Sequence, residues 1–407
     1  MRRGTNVHAL GGFNQTVIVD TIRRAPEGLS RVEIAKQTGL SAQTVSNVSR
    51  RLLDAGVIRE AGQQILGVGK PRTILQLDAS GLYAIGVHID PTVITYVILN
   101  LDGRVVAHTA VRTPVAVHPD RVIADMRDRI EALIVNSAID RERVLGVGIA
   151  APGPIDLERG VVLDPPLLER WHGVALRDAL AEATGLLVLL DKDVTAATVA
   201  ELWTSQGESR DNFMFFYYGT GIGVGLALGH EVVRGASSNP GDAGHQMVDP
   251  NGPICTCGRR GCLGDSVMPR NLVRNAVAVR FFGAPDGPLD TGVVEEYFTR
   301  LAAGADANDT RATAILDEAA DRIATGVVQI ANLLDVDRVV FGGPYWEYVS
   351  AYLLPRLPER INASSALVTP HPIAVSASAI GADVAAVGAA CLVLDQALSP
   401  RPTALLI

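Results

Sequence analysis

The sequence predicts a two-lobed α/β body preceded by a small domain of helices and a wing, and three observations carry that prediction. The chain has 407 residues, more than one hydrophobic core accommodates, so two or three folded units are expected. Charge is unevenly shared: residues 1–80 hold 11 Lys and Arg against 6 Asp and Glu, and the remainder holds 25 against 38. Beyond about residue 82, apolar strand-like runs alternate with helix-like stretches, and strand pairs leading into a strand and a crossover helix occur twice. The basic segment suits a polyanion and the acidic body a different partner.

With 48% hydrophobic and 20% charged residues, the chain has ample material for buried cores. It lacks an uninterrupted apolar run of about 20 residues, and its nearest candidate, 213–229, is broken by Gly219, Gly221, Gly223 and Gly225. That stretch reads as two strands and a turn. Arg2 and Arg3 are not followed by the apolar segment of a secretory signal, and three of the four cysteines are clustered. A cytoplasmic protein with no membrane partner and no disulfide scaffold is expected.

The basic segment opens with "TVIVDTIRR", a first helix. Ser30 and Glu33 have capping-box spacing at the head of "SRVEIAKQTG", where Val32, Ile34 and Ala35 form an apolar side and Gly39 stops the helix. Ser41 caps the next helix, in which Val45, Val48, Leu52 and Leu53 mark the buried face. Gln43, Thr44, Asn47 and Arg50 occupy the other face. Two short helices around a tight Gly-Leu-Ser turn make a helix-turn-helix, whose second helix enters the major groove of double-stranded DNA. Gln43 and Asn47 are suited to adenine, Arg50 to guanine or phosphate. "VIREAGQQILGVGKPRTILQLD" then reads as two strands around a glycine-rich wing tip, with Lys70 and Arg72 flanking Pro71. The plainer use of such residues is a solvated face, or phosphate neutralisation without sequence reading.

In the body, "LYAIGVHI", "VITYVILNLDGRVV", "VLGVGIAAPGPI" and "GLLVLLDKD" read as strands, separated by helices over about 121–137 and 176–184. "TAATVAELW" is helical, "FMFFYYGTGIGVGLALGHEVVRG" starts a second group of strands, and a helix near 311–334 precedes the strand "RVVFGG". An alanine-rich helix over about 379–397 ends the body, whereas 283–304 has no assignable pattern. The expected units are 1–80, a small lobe of 81–195 with about 379–397, and a larger lobe of 196–378. Ligands of such bodies bind between the lobes.

The runs "LGVGIAAPGPID", "GTGIGVG", "GDAGHQMVDPNGPICTCGRRGC" and "VVFGG" stand in the order and spacing of the ROK family (repressors, open reading frames and sugar kinases), which the body resembles over nearly its whole length. The winged segment in front is what the repressor branch of that family carries. The resemblance implies a sugar-kinase fold of the actin-like, ribonuclease-H-like ATPase type, and assembly as a homodimer or homotetramer through the larger lobe. Two-fold assembly suits palindromic operator DNA.

His245, Cys255, Cys257 and Cys262 form a Cys₃His set with H-x₉-C-x-C-x₄-C spacing, right for one tetrahedral zinc per chain. A shell closed by three thiolates leaves no place for water and is structural. In the family this metal fixes the loop that carries the histidine into the sugar pocket. Cys391, in the last helix, reads as an ordinary buried cysteine.

A kinase of the family needs Asp-x-Gly-Gly-Thr in its first hairpin, so that backbone approaches the triphosphate. Here the stretch is "HIDPT": His88 replaces the Asp, and Asp90 and Pro91 replace the glycines. A carboxylate repels the γ-phosphate and proline removes a donor. The loop 219–223 and Gly342-Gly343 survive, as tight hairpins also would. No catalytic residue is therefore expected, and Asp193, at the family's general base, reads as a ligand contact. The pocket departs elsewhere too: Lys192 precedes Asp193, Asp242 replaces a glutamate before Gly244 and His245, Gly264 replaces another, and Pro166 stands at a common asparagine position. Lys192 pointing outward would be solvated; pointing inward it would favour an acidic or phosphorylated ligand.

These features predict a DNA-binding regulator, a repressor in kind, whose body senses a sugar or sugar derivative through Lys192, Asp193, Asp242 and His245. Two alternatives remain: a relic scaffold that has lost its ligand, and a sugar kinase fused to a DNA-binding domain.

Overall fold

Ser30 and Glu33 begin the first short helix as their spacing requires, each closing on the other's backbone. The structure, a computed structural model, describes all residues except 1–6, 65–70, 115–118, 166–167, 169–170, 172, 205–211, 286 and 401–407. The amino-terminal domain runs α1 (Val7–Arg23), β1 (Leu29–Ser30), α2 (Arg31–Thr38), α3 (Ala42–Asp54), β2 (Ile58–Gln64) and β3 (Arg72–Leu77). Gly39 ends α2 in the left-handed conformation, and the Ser41 side chain caps α3. Ile18, Ile22, Ile34, Val45, Val48 and Leu52 close a small core. The strands pair antiparallel in the order β1-β3-β2, which makes the wing. The wing tip with Lys70, like Pro166 in the body, lies outside the described residues.

The first body sheet comprises β4 (Tyr83–Ile89), β5 (Val93–Asn100), β6 (Val105–Arg112), β7 (Val144–Ala151) and β10 (Val188–Lys192), in the order β10-β7-β4-β5-β6. The helices α4 (Pro119–Asn136) and α5 (Leu176–Thr184) accompany it, with the small pair β8 (Ile155–Asp156) and β9 (Val161–Val162) between β7 and α5. After α6 (Asp193–Thr204) comes a second five-stranded sheet, in the order β13-β12-β11-β14-β15. Its strands are β11 (Phe213–Tyr218), β12 (Ile222–Leu228), β13 (Glu231–Val232), β14 (Arg338–Gly342) and β15 (Ala374–Ala377). Helices α7 (Leu263–Val267), α8 (Pro269–Ala278), α9 (Thr291–Asp306), α10 (Thr310–Leu334), α11 (Trp346–Leu353) and α12 (Leu357–Asn362) belong to this lobe, and α13 (Val384–Leu398) closes the chain. The repeated architecture, an antiparallel hairpin followed by parallel strands, is the two-lobed body.

Two sequence expectations need correction. The last helix starts at Val384 rather than near residue 379, because Gly381 takes φ +85° and turns the chain first. The stretch left unassigned holds all but the end of the last turn of α9, which is capped by the Asp290 carboxylate on the Val293 amide. Small residues set the packing of α13: a side-chain carbon at Gly86 or Gly148 would collide with the Ala386 or Ala389 carbonyl.

Candidate functional site

Three groups of residues are candidates for a functional site, and the first is the outer face of α3. Val45, Val48 and Leu52 hold the helix to the domain, leaving Gln43, Asn47 and Arg50 exposed and Thr44 half-buried. Gln43 Nε2 donates to Asn47 Oδ1 at 3.1 Å, so the two amides act as a pair. Thr44 donates its backbone N–H to the Ser41 hydroxyl at 3.1 Å, which ties it to the helix start. Arg72, at the start of β3, is exposed.

The second group is the cysteine loop. The ligand atoms of His245, Cys255, Cys257 and Cys262 all lie within 4.8 Å of one another. Cys255 Sγ is 3.4 Å from His245 Nδ1, and Cys257 Sγ is 3.6 Å from Cys262 Sγ. Metal–donor bonds of about 2.0–2.3 Å in a tetrahedron need donor separations of this size, so the set fits one four-coordinate ion. The loop is braced by its own backbone, with the Cys255 amide on the Arg259 carbonyl at 2.7 Å and the Gly264 amide on the Gly244 carbonyl at 2.8 Å. Arg322 of α10 anchors it through Asp249 at 2.8 Å.

The third group lies between the lobes. Asp193 is the first residue of α6 and is half-buried. Burial raises its pKa, and the charges of His88 and Lys192 and a hydrogen bond from the Val194 amide oppose that shift. His88 and Asp90 are buried on and just after β4. Asp90 Oδ1 accepts the Thr92 amide at 2.8 Å and also its hydroxyl, while Thr220 Oγ1 of the other lobe donates to Asp90 Oδ2 at 3.3 Å. The phenol of Tyr217, buried and with no hydrogen-bond partner among the described residues, is pushed well above its ordinary pKa by burial and by Asp193 and Asp90.

Lys192 takes the inward of the two expected orientations. Its side chain turns inward past Gly153, and Nζ donates to the Pro240 carbonyl at 3.0 Å. Next to it, Asn239 accepts the Ile155 amide and donates to the Ile155 carbonyl, both at 2.7 Å, and Arg234 pairs with buried Asp191 at 3.0 Å. The lobes are thus clasped around Asp193. Asp242 follows the clasp and is exposed, whereas His245 directs Nδ1 to the cysteine cluster. Sequence reasoning missed Asn239, Thr220 and Tyr217. The Asn-Pro-Gly turn signal at 239–241 marked a special loop, but not its partner 84 residues away.

Residues 84–396 match the ROK family, and residues 17–59 match the winged helix-turn-helix DNA-binding family. The xylose repressor of Caldicellulosiruptor bescii is 24% identical over 372 residues, 91% of this chain and 93% of that protein. A solved ROK family transcriptional regulator, a homologue of the E. coli MLC protein, superposes with TM-score 0.78 at 22% identity, covering 96% of this chain and 98% of that one. A ROK family glucokinase from Streptomyces griseus, solved with glucose and AMPPNP, gives TM-score 0.61 at 27% identity over 76% of this chain and 98% of its own.

Proposed function

The chain belongs to the ROK family, and from that membership we propose that it is a cytoplasmic transcriptional repressor whose body senses a sugar or sugar derivative. The observation that carries this reading is the winged domain, with the exposed Gln43, Asn47 and Arg50 face, joined in one chain to a two-lobed body whose lobes meet beside Lys192 and Asp193. Gln43, Thr44, Asn47 and Arg50 read the operator, and Lys70 and Arg72 of the wing hold its backbone. A homodimer or homotetramer presents two such helices to a palindromic site.

Zinc at His245, Cys255, Cys257 and Cys262 stiffens the loop that borders the cleft. Asp193, Lys192, Asp242 and His245 make up the effector site. The inward Lys192 ammonium uses one of its three donors on Pro240 and keeps its charge, which favours an acidic or phosphorylated sugar derivative. Xylose is the first compound to test, because a relative matching 91% of the chain is named a xylose repressor. The body is not a kinase in this reading: Asp90 and Pro91 stand where phosphates need backbone donors. Thermal stabilisation by xylose or glucose, together with a change in operator affinity, tests the reading.

A second reading, a ligand-free scaffold, is favoured by the Lys192 to Pro240 clasp and by Gly264 at a hydroxyl-binding position. It predicts DNA binding that no sugar alters.

A further inference from the structure

The amino-terminal domain meets the body at α13, against which α1 packs, and at the far end of α6. Arg23 Nη1 donates to the Trp203 carbonyl at 3.0 Å, and its guanidinium lies 4.2 Å from the centre of the Trp203 ring. Asp20 holds both Arg23, at 2.7 Å, and Arg24, at 2.8 Å. Arg24 in turn reaches His230 Nε2 at 3.1 Å, in the turn between β12 and β13. Trp203 itself is buried, wedged beside the Gly103 turn.

The near end of the same helix is Asp193 in the cleft. Ten residues at about 1.5 Å each separate Asp193 from Trp203, roughly 15 Å of continuous helix. The start of this rod is fastened by the Lys192 to Pro240 hydrogen bond and the adjacent Asp191 to Arg234 ion pair. Its flank is smooth: Ala196, Ala197 and Ala200 share a core with Ala385 and Ala389 of α13, and a side-chain carbon at Gly388 would strike the Ala196 carbonyl. These small residues bring the two helix backbones into close contact, so α6 and α13 are packed as one unit. Beside the joint lies a cleft of about 710 Å³, lined by Asp20, Arg23, Asp191, Trp203 and Arg234 among others.

We propose that α6 is the rod that couples the inter-lobe cleft to the winged domain, and that Arg23 is the positioning residue that registers where its far end lies. The proposal rests on the reading of the protein as a DNA-binding regulator. A helix held at both ends moves as one body, so a change at Lys192 and Asp193 is felt at Trp203 without any change in α3.

The test is a thermodynamic cycle on the full, zinc-loaded chain, read as affinity for a labelled duplex from upstream of its own gene at fixed salt. Lys192→Ala is expected to shift the Kd by at least about fivefold. In an Arg23→Gln background the same change is expected to shift it by less than about twofold. Arg23→Lys, which keeps the charge but loses the planar stack, should uncouple in the same way and serves if the first variant does not fold. Shifts that multiply in the double variant, or no shift from Lys192→Ala, would overturn the proposal. So would loss of all DNA binding in both Arg23 variants, since a joint that only transmits position leaves the reading helix intact. A wild-type chain that does not prefer the upstream duplex over a scrambled one defeats the DNA-binding reading itself, and the coupling with it.

Discussion

Thr220 donates its hydroxyl to the Asp90 carboxylate, joining the first hairpin of one lobe to the glycine-rich turn of the other. In a phosphotransferase of this fold those two loops would have to face phosphates. Here an acidic side chain, further held by Thr92, spans them. Pro91 removes a backbone N–H at the same place.

Phosphoryl transfer is therefore expected to be absent. Incubation with Mg-ATP and glucose or xylose should produce ADP only at the rate without sugar, and Mg-ATP should leave the melting temperature unchanged. ADP release that depends on sugar and disappears in Asp193→Asn would contradict this.

The metal cluster should be stoichiometric and structural. One zinc per chain is expected by elemental analysis, falling in Cys257→Ser together with a melting temperature lower by roughly 5 °C or more. Because thiolates and neutral imidazole are the ligands, zinc should be released as the pH falls, which a chromogenic chelator would follow.

Burial raises the pKa of Asp193 above its unfolded value. Between the two values the native state binds more protons than the unfolded state, so this group lowers stability as pH rises and its full penalty applies above the folded pKa. Asp193→Asn is expected to raise the melting temperature at pH 7 and to lose that advantage below about pH 3.9, where both states are protonated. A variant less stable than wild type at pH 7 would show that the carboxylate is compensated. The same variant should lose stabilisation by sugar.

On α3, Asn47→Ala should cost about 1–3 kcal/mol of DNA affinity and relax preference at one base pair. Since Gln43 and Asn47 are hydrogen-bonded, the loss in the double variant should be less than the sum. Arg72→Ala should weaken all duplexes alike and lower the salt slope by about 1. Anisotropy titrations over a salt series separate the two behaviours.

Features encoded locally were legible in the sequence. Ser30 with Glu33, Ser41 and Gly39 marked helix ends because caps act within three or four residues. The cysteine spacing announced a donor set because a short loop brings its own residues together. The helix Thr291–Asp306 was obscured by Gly292 and Gly304 near its ends and by the glycine- and proline-containing segment before it. The alanine-rich start of the last helix concealed the turn at Gly381, since composition does not report φ. The clasps were invisible for another reason: Arg23 and Trp203 stand 180 residues apart, and Asn239 and Ile155 84 apart. Nothing local marks such pairs.

The most direct measurement is fluorescence anisotropy of the zinc-loaded chain with DNA from upstream of its own gene, at fixed salt, with and without xylose, glucose, and acidic and phosphorylated sugars. A sugar-responsive repressor binds this duplex in preference to a scrambled one, and one sugar class changes the affinity, an acidic or phosphorylated sugar more than a neutral one if Lys192 contacts the ligand. Binding that no sugar alters would contradict the sensing claim, and binding without sequence preference would contradict the claim of an operator-reading repressor.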